Sequence, residues 1–204
     1  MATLSECCEV IHQATLHPMP DITIRARRLR EAGLLPQGGR GIHAAHLDAK
    51  HIAYLLIGLM AYPIGPVVKV DRNTSKIFKL KSAGSIILSP SKRENDWIEV
   101  SPKGTFVNGI ASLLEAYQHP EYRDFVSGSV QQIGITFSQN NQFAWIKALQ
   151  NYIRDASNLD LTPDGTKVVF GNWKLSKGME CTVTLNSLDI LRISNLLKTE
   201  APNK

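Results

Sequence analysis

Proline and glycine cut the first third of this 204-residue chain into three segments of helical length, and this punctuation constrains its fold more than any other feature. Pro18 and Pro20 end the first segment. Gly33 and Pro36 end the second, the turn Gln37-Gly38-Gly39-Arg40-Gly41 follows, and Pro63 and Pro66 close the third. The spacing predicts helices over 5–15, with Ser5 as N-cap, over 21–32, stopped by Gly33, and from an Asp48 cap to about Ala61. No stretch of eighteen apolar residues occurs, so no membrane span is expected. Glu6 and Glu9 occupy positions where a secretion leader would be basic and then apolar. With Cys7 and Cys8 adjacent and Cys181 far away, no disulfide framework is expected, and a cytoplasmic location follows.

Beyond Pro66 the pattern changes. Residues 67–70, 76–80 and 85–88 read as strands, 104–117 as a helix, and 133–137 as one arm of a hairpin turning at Asn140-Asn141. For the second arm, strand alternation at Phe143 and Trp145 competes with a helical reading of 143–154. Residues 167–175 and 180–185 suggest another hairpin around Gly178, and 188–198 a closing amphipathic helix. The expected fold class is therefore α+β: an N-terminal winged helix-turn-helix over 1–62, then a mixed antiparallel α+β domain over 67–204 that oligomerises or binds a partner.

The net charge of +5 is unevenly placed. Residues 1–80 hold 10 Lys/Arg against 6 Asp/Glu, and the remainder 13 against 12. Arg25, Arg27, Arg28, Arg30 and Arg40 fall within sixteen positions. At 100° per residue Ile22, Ala26 and Leu29 share one side of the second helix, Arg27 projects opposite, Arg28 lies beside it, and Arg25 and Arg30 flank. Long cations on the side away from an apolar seam suit phosphate contact and guanine reading in a major groove. A glycine-flanked Arg40 after that helix would serve as a wing tip. The candidate DNA-binding residues are Thr23, Arg25, Arg27, Arg28, Arg30, Gln37, Gly39, Arg40 and His43, and the expected partner is double-stranded DNA. A solvated arginine face and a phosphate-cradling loop are the competing readings, the latter without the Lys-Ser/Thr of a nucleotide P-loop.

The run from Thr23 to Pro36, Thr-Ile-Arg-Ala-Arg-Arg-Leu-Arg-Glu-Ala-Gly-Leu-Leu-Pro, resembles the end of the helix-turn-helix and the start of the wing in MerR-type winged-helix proteins. The similarity spans about 40 residues and extends to prophage regulators and small terminase subunits. It implies a phosphate-contacting role for Arg27 and a wing position for Arg40. Arg28 and Leu29 replace the family's aromatic pair, the wing tyrosine is missing, and no long dimerising helix is evident. The role this implies is sequence-specific transcriptional regulation by a homodimer or higher homo-oligomer, with DNA packaging or protein-binding inhibition as alternatives.

Five of the six histidines lie within the first 51 residues, alongside Cys7 and Cys8, but the four-ligand spacing of structural zinc is absent. No metal and no cofactor are expected. No nucleophile-base motif or paired-carboxylate motif stands out, so no catalytic residue is named and the chain is read as a non-enzyme. Trp97, Trp145 and Trp173 are assigned to core packing or an interface.

Overall fold

A computed structural model of the chain describes residues 2–38, 44–60, 86–88, 98–100, 104–118, 131–138, 143–150, 166–170, 182–185 and 187–197. Helix α1 spans Leu4–Thr15, α2 Met19–Glu31, α3 Ala49–Met60, α4 Phe106–Ala116 and α5 Ser187–Ser194, with a 3-10 turn over Asn195–Leu197.

Each early helix is held by local chemistry. Thr3, rather than Ser5, caps α1 in a capping box: its hydroxyl accepts from Glu6 N, and the Glu6 carboxylate accepts from the Thr3 backbone N–H at 2.6 Å. Helix α2 starts two residues earlier than expected because Pro20 sits in the first turn, where its missing N–H breaks no helical bond. It stops in a Schellman arrangement. Gly33 adopts φ +73°, its N–H donates to the Arg30 carbonyl, and Leu34 N–H donates to the Leu29 carbonyl. The Asp48 carboxylate accepts from His51 N at 2.8 Å and caps α3. Thr105 does the same for α4 through Asn108 N.

The core follows the helical apolar faces. Ile11 of α1, Ile22, Ala26 and Leu29 of α2, and Ile52, Leu55 and Leu56 of α3 are all fully buried. Phe106, Ile110, Leu113 and Leu114 of α4 and Ile190 and Ile193 of α5 join them in one cluster. Helix α3 packs along α4 and α2, α1 packs against α5 and α2, and the Gln118 amide donates to the Ser194 carbonyl. Helices from both sides of the expected 62–67 boundary thus share a core; the boundary itself lies outside the described residues.

Six short strands are described by their backbone pairing. Strands β1 (Ile86–Leu88) and β2 (Ile98–Val100) form an antiparallel pair. Strands β3 (Gln131–Ser138), β4 (Phe143–Gln150), β5 (Thr166–Phe170) and β6 (Thr182–Leu185) pair antiparallel in the order β5-β4-β3-β6. The suggested hairpin around Gly178 does not form, because β5 pairs with β4 and β6 with β3, on opposite edges. The strands expected over 67–70 and 76–80 lie outside the described residues.

The fold-class expectation needs correction. Where side-chain packing is described the chain is helical, with Leu35, Leu47 and Leu185 filling in between helices, and among the described residues no winged hairpin follows α2. The physical reason is visible on both flanks of the expected wing. Leu35 drops into the core, and Pro36 has no N–H to give to a ladder. On the return side, Leu47 N–H donates to the Ala2 carbonyl at 2.9 Å and His46 bridges antiparallel to Thr3. The backbone that a return strand would use is paired with the beginning of the chain. Among the described residues, no helix is long and apolar enough to cross a membrane.

Candidate nucleic-acid interface and the cleft beside it

Helix α2 fixes the direction of its arginines through the burial of Ile22, Ala26 and Leu29, and the four do not share one exposed side. Arg25 points inward and is 4% exposed. Its Nε donates to Asp21 Oδ2 at 3.0 Å and its Nη1 to the Gly58 carbonyl of α3 at 3.2 Å. His17 Nε2 lies 3.5 Å from the same Asp21 oxygen, and the His17 carbonyl lies 2.6 Å from His12 Nδ1. Arg25 is therefore a bolt between α2 and α3, not a contact for a ligand. Gly58 permits the approach: a Cβ there would stand 3.0 Å from Leu29 Cδ1.

Arg27 and Arg28 face outward, with side chains 78% and 42% exposed. Both are tied to one carboxylate. Arg27 Nε donates to Glu31 Oε1 and Arg28 Nη1 to Glu31 Oε2, each at 2.9 Å. The Arg27 and Arg28 hydrogen bonds hold the Glu31 carboxyl below its ordinary pKa. Thr23 and Ile24 are exposed as well, the Thr23 hydroxyl donating to the Met19 carbonyl.

Arg30 turns the other way, toward α1. Its guanidinium has no carboxylate partner among the described residues, and its Nε is buried without a hydrogen-bond partner. The Gln37 amide donates to the Arg30 backbone carbonyl at 3.1 Å, which draws the post-helix loop back along α2. Gly39, Arg40 and His43 lie outside the described residues. The six described residues of the expected nine therefore divide: Arg27 and Arg28 lie on the outer side, Thr23, Arg30 and Gln37 on the flank toward the cleft, and Arg25 in the core.

Two features escaped the sequence reading. One is the His17-Asp21-Arg25 chain, whose i,i+4 spacing was the available signal. Burial pushes the pKa of His17 down, the Arg25 charge adds to this, and Asp21 opposes it. The other is a cleft of about 720 Å³ between α1, α2 and the flanking residues Pro36, Gly38, Ala44 and Ala45, lined among others by Ser5, Cys8, Met19, Ala26, Arg30 and Leu47. The cysteines are packing residues. Burial drives Cys7 up to about 12 and Cys8 up to about 11. Among the described residues, no group of three or more His, Cys, Asp or Glu side chains is placed to hold a metal ion.

No protein-family model, no curated protein and no solved structure matches the chain.

Proposed function

We propose that the chain is a non-enzymatic protein that binds double-stranded DNA through the outer side of α2. The observation that carries this reading is the pair Arg27 and Arg28, both presented outward on a helix whose opposite side is anchored in the core. A rigid helix carrying adjacent guanidinium groups can follow a phosphate ridge or enter a major groove. Glu31 does not forbid this. Exposed ion pairs are weak and exchangeable in water, so a phosphate can take over either arginine.

The correction to the fold narrows the proposal. One helix with two available arginines offers few contacts, and useful affinity calls for two copies reading a two-fold site. The test is fluorescence anisotropy of a labelled random-sequence duplex at two salt concentrations. Wild-type affinity should fall steeply with salt. The double variant Arg27→Ala/Arg28→Ala should bind about tenfold more weakly and lower the salt slope by about 1 to 2. An identical slope in wild type and variant would refute the interface.

A further inference from the structure

The cleft between α1 and α2 has a chemical asymmetry that the DNA reading does not use. Its volume of about 720 Å³ falls in the range of small-molecule sites. Much of its lining is apolar, from Met19, Ala26, Leu47 and the Cys8 side chain. At one end stands Arg30. Arg25 is paired with Asp21, and Arg27 and Arg28 with Glu31, but the Arg30 guanidinium meets no carboxylate among the described residues. Its Nε–H is buried and meets no acceptor among the described residues. The Arg30 side chain lines the cleft with its charge uncompensated by any described carboxylate, so an anionic head group entering the cleft would find its complement there.

Nothing described in the cleft competes strongly for that role. Glu9 lies at the rim, but it is exposed and its carboxylate accepts from the Gln13 amide at 3.1 Å. The neighbouring Cys8 is held as a neutral thiol by burial. We infer that this cleft binds a small organic anion, its carboxylate or phosphate head on Arg30 and its apolar body over Met19, Ala26 and Leu47.

The experiment is isothermal titration of the full-length chain with octanoate, octyl phosphate and neutral octanol. At least one of the two anions should give a saturable one-site isotherm, with octanol at least tenfold weaker. The anion that binds more tightly identifies the head group. Arg30→Gln should reduce anion affinity to the octanol level. Thr23→Trp, an exposed position on the cleft wall, should block anion and alcohol alike without disturbing the core. If Arg30→Gln does not fold, Thr23→Trp decides alone. The inference is overturned if neither anion saturates, if octanol matches the anions, or if the folded variants bind as wild type does. None of these outcomes depends on DNA, so failure here leaves the α2 interface standing, and the reverse also holds.

Discussion

The inner and outer sides of α2 carry the same residue type in opposite circumstances. Inside, Arg25 sits buried at the junction with half-buried Asp21 and the Gly58 carbonyl, where charge and hydrogen bonding fix one helix against another. Outside, Arg27 and Arg28 share Glu31 in water, where the same kind of ion pair is weak and exchangeable. Arginine count along a helix therefore says little about binding until each side chain's surroundings are known. A buried guanidinium is architecture; an exposed one is available chemistry.

The sharpest way to break this comparison is to truncate the two kinds of arginine and follow urea unfolding. Arg25→Ala leaves the Gly58 carbonyl without its guanidinium donor, opens a void at the α2–α3 junction and should cost about 2 kcal/mol. Arg27→Ala should move stability by less than about 0.5 kcal/mol. Equal losses would erase the distinction. Next in size is the release of the outer pair. Glu31→Gln frees both guanidinium groups and should strengthen duplex binding about two- to fivefold in the anisotropy titration. Weaker binding by this variant would mean that Glu31 positions the arginines instead of occupying them.

The smallest effect concerns the inner side and pH. His17 has a folded-state pKa below its ordinary value, so the unfolded chain binds more protons around pH 6. Its contribution to stability is complete above the unfolded pKa of about 6.5 and is lost as pH falls toward the lower folded value. The melting temperature should drop between pH 7 and pH 5.5, and His17→Gln should flatten that drop. An unchanged slope would place the titrating group elsewhere.

What the sequence made legible was the set of helices and their buried stripe. Ile22, Ala26 and Leu29 are internal, and Asp48 and Gly33 mark the ends foreseen for them. Helical periodicity and capping are local, and local rules suffice for both. The failures were non-local. Arg25 lies only 100° from Ala26 on the wheel, and whether that flank is wet depends on α3 and on a glycine more than thirty positions away. The Gly-Leu-Leu-Pro run that invited a wing is accounted for by a helix stop: Gly33 in the left-handed region, Leu34 closing the Schellman bond and Leu35 entering the core. The cleft was invisible because its walls come from three stretches that only the tertiary fold brings together.

The union of Ala2 and Thr3 with His46 and Leu47 has a consequence for biosynthesis. During translation Ala2 and Thr3 leave the ribosome long before their partners, so this clasp can close only after α2 and the residues up to Leu47 have emerged. A bulky group attached at Ala2 or at His46 would sit against that late-forming clasp.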